Sequence, residues 1–242
     1  MLVERVLSRP EQLFEKIDQA TGIGLEIGAL DNPCALRSVG KVYYADYCST
    51  DNLRRNHQHT PTVNVQNIVD VDFITDGGPL ARVVPNNLRF DYVIASHVIE
   101  HVPDIISWLC DVGDVLRKGG VLSLIIPNKE KTFDSRRSVS EEKDFYGAFI
   151  QKQTRPSPTQ VFDSFRWHER EGKLVHTLDY AIDKAMQSVN DYVDCHCWVF
   201  TPQTFFHEIG MMAYTGRIPF KLDVVTLTPR DEIDMFARLI RV

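Results

Sequence analysis

A short apolar run ending in an acid and a glycine, followed by a second run ending in an acid, makes a place for a nucleoside. Here the first run is LEIGALDNP, Leu25 to Pro33, and the second is YYADY, Tyr43 to Tyr47, with Asp46 twenty residues after Glu26. In a parallel sheet, ligands sit beyond the carboxyl ends of the strands, where the strand order reverses. A glycine directly after the first strand, Gly28, lets the backbone approach a ligand. Glu26 can accept a hydrogen bond from a ligand amine, directly or through water. Asp46, with Tyr47 beside it, can grip the two hydroxyls of a ribose, an arrangement that also serves NAD. Gly28 is followed by Ala29, Leu30 and Asp31, so the later glycines of G-x-G-x-x-G are absent, and with them the usual diphosphate cradle. A nucleoside without phosphates fits better; the alternative is a structural turn with a surface acid.

Three further groups could do chemistry. Asp72 and Phe73 stand in the loop after the expected third strand, where an acid beside an aromatic can bind an adenine amino group and stack on its face; the alternative is a solvated loop with Phe73 filling the core edge. Ser96-His97-Val98-Ile99-Glu100-His101 follows the fourth strand, and its H-x-x-E-H spacing is that of an inverted zinc-protease motif. That motif needs a long helix, whereas this stretch is a tight strand-to-helix connection interrupted by Pro103, with no acid-bearing helix downstream. It reads instead as a ligand contact at His97 and a structural or catalytic group at His101. The third group is the histidines His168, His176 and His196. A histidine base suits removal of a proton from a hydroxyl or amine, and the order of preference is His168, His196, His101. Cys195, His196 and Cys197 alternate faces if extended, so no metal is expected there either. Arg136, Arg137 and Arg155 could hold an anionic substrate group through their forked donors, or form a salt-bridged surface.

The elements that must position these groups follow from periodicity and turn chemistry. Residues 10–20 read as a helix, Ile23 to Gly28 as strand one, Cys34 to Val39 as a short helix or turn, and Val42 to Ala45 as strand two. Thr50 to Asn56 reads as a short helix and Thr62 to Val65 as strand three. FDYVIA, Phe90 to Ala95, is a nearly continuous apolar run, as a strand buried on both sides requires. An amphipathic helix over Asp104 to Leu116 and a fifth strand over Val121 to Ile126 complete a βαβ crossover and make a parallel sheet. From 128 to about 200 the pattern loosens into an inserted cover, with a helix over Leu178 to Val193. Thr201 caps a helix over Pro202 to Met211, and two closing strand-like runs form an antiparallel hairpin. The fold class is therefore α/β: a Rossmann-like, seven-stranded, mostly parallel sheet with a C-terminal antiparallel hairpin and a cover inserted between strands five and six. Residues 1–242 read as one domain.

The chain of 242 residues has a net charge of -6, which disfavours duplex nucleic acid as the main partner. No apolar run reaches membrane-spanning length, and the N-terminus MLVERVLSRPEQLFEKI carries early acids and no signal-peptide core, so cytoplasmic residence is expected. The five cysteines follow no disulfide framework and are expected as reduced thiols. The sequence assigns no oligomeric state.

The pattern resembles the S-adenosylmethionine-dependent methyltransferases of the Rossmann-like class I. LEIGALDNP is similar to their first motif with a reduced glycine loop, and ADY to their ribose-binding acid. FDYVIASHVIEHVPD followed by LRKGGVLSLIIPN is the most specific match. In shape it resembles the subgroup that methylates small molecules and sugars. The resemblance implies S-adenosylmethionine as cofactor, with Glu26 and Gly28 at the methionine end, Asp46 on the ribose diol, Asp72 and Phe73 bordering the adenine, and Ser96 and His97 on the methionine side. It implies transfer of a methyl group to an oxygen or nitrogen of a small polar acceptor, including a sugar or glycan precursor. The reduced loop motivates a second reading, a methyltransferase fold that binds without catalysing.

Overall fold

Apolar residues of both parities run along the middle strands, and the fold buries both sets. In the computed structural model, residues 1–3 and 8–242 are described. The N-terminal stretch read above includes residues 4–7, which lie outside the described residues. The strands are β1 (Leu2–Val3), β2 (Ile23–Ile27), β3 (Lys41–Asp46), β4 (Phe73–Ile74), β5 (Phe90–Ser96), β6 (Leu116–Pro127), β7 (Glu169–Arg170), β8 (Lys173–Leu174), β9 (Phe220–Thr226) and β10 (Asp234–Arg241). The helices are α1 (Arg9–Phe14), α2 (Thr50–His57), α3 (Ile105–Val115), α4 (Glu142–Ile150), α5 (Pro158–Arg166), α6 (Leu178–Gln187) and α7 (Pro202–Tyr214).

The main sheet runs β1-β9-β10-β6-β5-β2-β3-β4. Strands β4, β3, β2, β5 and β6 pair in parallel, and β10 is antiparallel to both β6 and β9. This is the expected seven-stranded sheet with its terminal hairpin, extended by the two-residue β1 beside β9. From β2 the chain goes first to β3 on one side and later to β5 on the other, so the order reverses between β2 and β5. Residues just past those two strands therefore share the rim where such sheets bind ligands.

Alternation explains the apolar runs. Val93 and Ala95 of β5 and Leu122, Leu124 and Ile126 of β6 join α3, α4 and α7 in one core; Tyr92, Ile94, Val121 and Ile125 join Leu13 of α1 in the other. Each large side chain removed from water this way stabilises by roughly 1.5–3 kcal/mol. Ser123, of the same parity as Val121, is buried on the α1 side and donates its hydroxyl hydrogen bond to the Leu13 carbonyl at 2.7 Å. Helix α3 starts where Asp104 accepts the Ser107 N–H at 3.0 Å, and α7 where Thr201 accepts the Thr204 N–H at 3.2 Å.

Several boundaries differ from those read in the sequence. Helix α1 stops at Phe14 because its terminal carbonyls are taken by tertiary partners: Ser123 holds Leu13, Arg238 holds Glu15, and Lys16 turns left-handed at φ 66. Residues 34–39 take the turn of the two alternatives read for them. Strand β6 begins at Leu116, with a register shift opposite Phe90 to Tyr92, instead of at Val121. Helix α6 ends at Gln187. The third parallel strand is Phe73–Ile74, not 62–65. The aromatic ring of Phe73 decides this, stacking on Tyr43 with centroids 5.5 Å apart and meeting Phe90 edge-on, contacts that Thr62 to Val65 cannot offer.

Candidate functional site

Strand β2 ends in a turn that only one residue type accommodates easily. Gly28 has φ +70, and a Cβ built on it would lie 2.8 Å from Val98 Cγ2 in the connection after β5. Leu30 also sits left-handed, at φ 49, where a second glycine would be unstrained. The loop thus keeps a two-glycine backbone path with one glycine, at a cost of about 1–2 kcal/mol for the side chain at position 30. Gly28→Ala should lower stability by a similar amount, roughly 1–2 kcal/mol, and push Val98 away from the rim; chemical denaturation of both proteins measures it.

Glu26 lies beneath this loop, 1% exposed. Its two carboxylate oxygens accept the Cys34 and Ala35 N–H groups, each at 2.8 Å. Burial pushes its pKa up, and those two backbone donors oppose the rise. Glu26 therefore acts on the rim through the 34–35 turn, with both oxygens committed to it.

Asp46 ends β3. Its Oδ1 accepts the Tyr47 N–H at 2.7 Å, and Oδ2 has no hydrogen-bond partner among the described residues. Burial pushes its pKa up to about 6, against the Tyr47 N–H. Tyr47 is half exposed beside it and its hydroxyl accepts from Asn56 Nδ2 at 3.0 Å. Asp72 and Phe73 are placed differently from the expectation. Asp72 Oδ2 accepts the Tyr44 N–H at 2.8 Å and pairs with Arg37 at 2.5 Å, two residues short of the β3 tip, and Phe73 belongs to the core edge. Because β4 lies later in the chain than expected, the residues level with Asp46 and Tyr47 are Thr75 and Asp76, whose N–H groups donate to the carbonyls of those two residues. A strand centred on the F-I pair before T-D-G-G was the signal that would have found them.

Ser96 closes β5, opposite Ile125. His97 follows in a left-handed conformation, φ 53. Its ring joins β10 to the connection after β5: Nε2 is 3.2 Å from Asp234 Oδ1 of β10, and Nδ1 is 3.5 Å from Glu100 Oε1. Burial disfavours the charged ring, but Asp234 and Glu100 outweigh it and raise its pKa to about 9.

The structure brings the three candidate bases into one train of rings. His101 and His196 meet edge-on at 4.7 Å, His196 touches Phe133 at 4.7 Å, and Phe133 stacks on His168 at 4.4 Å. His176 continues the train to Tyr180. His101 Nδ1 stands 3.0 Å from Asp194 Oδ1, and His196 Nδ1 stands 2.6 Å from Asp134 Oδ2. Burial works against the charge of His101, and Asp194 raises its pKa above the ordinary value. The pKa of His168 is lowered, first by burial and then by His176.

The arginines are structural. Arg137 is buried, donating from Nη1 to Asp134 at 2.8 Å and from Nε to Asp163 at 2.7 Å. Arg136 pairs with Glu169, and Arg155 donates to the Asn190 carbonyl at 3.0 Å. Cys195 and Cys197 are buried in the core while His196 faces the ring train, the alternation expected of an extended stretch. A cavity of about 430 Å³, lined by Lys16, Gly22, Asp91 and Arg117 among others, lies at the opposite, amino-terminal end of the strands.

The model of the family described as "Methyltransferase domain" matches residues 3–205. No curated protein matches the chain. Among solved structures, one from Rhodobacter sphaeroides named as a Zn-dependent alcohol dehydrogenase superposes with a TM-score of 0.54 at 13% identity, covering 99% of this chain and 92% of that one. The CcbJ methyltransferase from Streptomyces caelestis gives 0.50 at 12% identity over 97% and 89% of the two chains. An S-adenosylmethionine-dependent methyltransferase from Clostridium acetobutylicum gives 0.50 at 9% identity over 96% and 90%. At these identities the likeness is one of fold. Among the described residues no helix is long and apolar enough to cross a membrane.

Proposed function

The chain belongs to the methyltransferase domain family, in the Rossmann-like class that takes its methyl group from S-adenosylmethionine, and from that premise we propose that it methylates an oxygen or nitrogen of a small polar acceptor such as a sugar or glycan precursor. In this reading residues 1–242 act as one domain and 128–200 as its substrate cover, in the cytoplasm and without nucleic acid. The observation that carries it is the train of rings from His101, just past the β5 rim, through His196 and Phe133 to His168. It gathers polar, proton-accepting groups of the cover into one row that starts at His101.

The rim fits a nucleoside without phosphates. Asp46 Oδ2 is available to a ribose diol, Gly28 lets the turn after β2 pack against Val98, and β2 is followed by turns where a diphosphate would need a helix N-terminus. This also argues against reading the chain through the dehydrogenase name of one similar structure. When bound, the sulfonium supplies an already activated methyl group. The chain's own residues then have to align the acceptor, exclude water and remove a proton. Asp46 holds the ribose, Tyr47 and the Thr75–Asp76 turn border the base, and Ser96 and His97 flank the methionine end. His168 takes the acceptor proton, because its lowered pKa keeps the ring neutral near pH 7. His196 and His101, the other two candidates, are held at Nδ1 by Asp134 and Asp194.

Calorimetry with S-adenosylmethionine and with S-adenosylhomocysteine tests the reading; if neither binds the folded protein, the non-catalytic reading takes its place. The affinity carries its own pH signature. Only the charged Asp46 carboxylate accepts from both diol hydroxyls, so binding should weaken as pH falls through about 6. Asp46→Asn should flatten that dependence and weaken binding at neutral pH by roughly 10- to 100-fold, the value of a hydrogen bond to a charged group.

A further inference from the structure

Glu100 is 0% exposed, and neither of its carboxylate oxygens has a hydrogen-bond partner among the described residues. A buried carboxylate without donors is costly unless a cation answers it. The His97 ring, 3.5 Å from Oε1, answers one oxygen at most. Glu100 also converges with two other imidazoles: one ligand atom each from Glu100, His101 and His196 lie within 4.8 Å of one another.

Both imidazoles carry the carboxylate partner that commonly backs a metal ligand. Each points Nδ1 at a carboxylate, His101 at Asp194 at 3.0 Å and His196 at Asp134 at 2.6 Å. A carboxylate partner at Nδ1 leaves Nε2 as the nitrogen available to a metal that displaces its proton, the arrangement found behind most metal-bound histidines. Asp134 is fixed in turn by buried Arg137.

We propose that Glu100, His101 and His196 bind a divalent first-row transition-metal ion such as Zn²⁺, with Asp194 and Asp134 as positioning residues. Two imidazole nitrogens and one carboxylate oxygen suit such an ion, whereas Mg²⁺ and Ca²⁺ favour all-oxygen sites. Metal–ligand bonds of about 2.0–2.2 Å bring ligand atoms to about 3–3.5 Å of one another, so binding draws these side chains together by up to about 1–2 Å. This is not the H-x-x-E-H pattern read in the sequence, since His97 turns its Nε2 to Asp234 and the second histidine comes from the cover. The neighbouring thiols are poor rivals: Cys195 and Cys197 are buried in the apolar core, and Cys197 Sγ donates to the His101 carbonyl at 3.5 Å.

The test is calorimetric titration of the full chain, stripped by chelator, with Zn²⁺ alone and separately with Mg²⁺. Co²⁺ serves as a spectroscopic probe through its visible ligand-field absorption. One Zn²⁺ per chain is expected. Glu100→Gln and His196→Gln should each weaken binding by roughly 100-fold or more, and Asp194→Asn, at a more exposed position, by roughly 10- to 100-fold. The pair Cys195→Ser and Cys197→Ser should leave both the stoichiometry and the Co²⁺ spectrum unchanged. If Glu100→Gln fails to fold, His196→Gln and Asp194→Asn carry the test. The assignment is overturned if the stripped chain takes up no Zn²⁺, if it prefers Mg²⁺, or if binding survives the Glu100 and His196 changes and is lost with the two cysteines. No methyl donor is present, so the result is independent of the methyl-transfer reading.

Discussion

Arg137→Met should destabilise the fold by about 3–5 kcal/mol, the usual cost of removing one partner from a buried ion pair. Arg137 and Asp134 side chains are 2% and 3% exposed, so water cannot replace the lost partner. Burial raises the pKa of the Asp134 carboxyl, while His196 and Arg137 more than reverse it and hold it below the ordinary range. Without Arg137, Asp134 keeps only His196, and the charge is poorly balanced. Asp163, with a side chain 37% exposed, returns to solvent at little cost. For a chain of this size the loss corresponds to a fall in Tm of roughly 10 °C. The double variant Arg137→Met with Asp134→Asn distinguishes a charge effect from lost packing. If the penalty is an unpaired charge, the double variant should be more stable than Arg137→Met alone by a kcal/mol or more, about the coupling expected of a contacting pair. A double variant as unstable as the sum of its single changes would show that the guanidinium acts by filling space.

His168→Gln should lower turnover by roughly 10²- to 10⁴-fold, the range for loss of a positioned general base. Affinity for S-adenosylmethionine should be unchanged, because the side chain packs on Phe133 in the cover and not on the rim strands. The wild-type rate should rise with pH along a limb lying below 6.5, the ordinary histidine value, because burial and His176 lower this pKa. In His168→Gln that limb should disappear. A variant with undiminished turnover would move proton removal to another group, or show that the acceptor needs no base.

The strand tips were legible in the sequence because burial on both faces leaves a mark that periodicity can read. Continuous runs such as FDYVIA and VLSLIIP occur only where both parities are buried, and apolar runs of this kind put Gly28, Asp46 and His97 at strand ends, where the structure has them. The Thr201 cap, the Pro202 start and the closing hairpin are local signals and held for the same reason. Short elements were not legible. A two-residue strand has no period, so periodicity points to 62–65 for the third strand and to Asp72 for the rim, whereas β4 is Phe73–Ile74 and Asp72 bonds the Tyr44 N–H.

By itself, then, the sequence determined the α/β architecture, the point where strand order reverses and the acid and glycine that meet there. Those depend on alternation, turn chemistry and spacing within a few residues. Only the tertiary structure decided how the polar groups are spent. Arg137 went to a buried pair with Asp134, and Glu26 to two backbone amides. Glu100 was left with the His97 ring near one oxygen at most, beside His101 and a histidine from the far end of the cover. Some of these partners are near in the chain, as Arg137 and Asp134 are, and others distant, as His196 is from both, but in each case the choice depends on which charges the packed core leaves within reach and shut off from water.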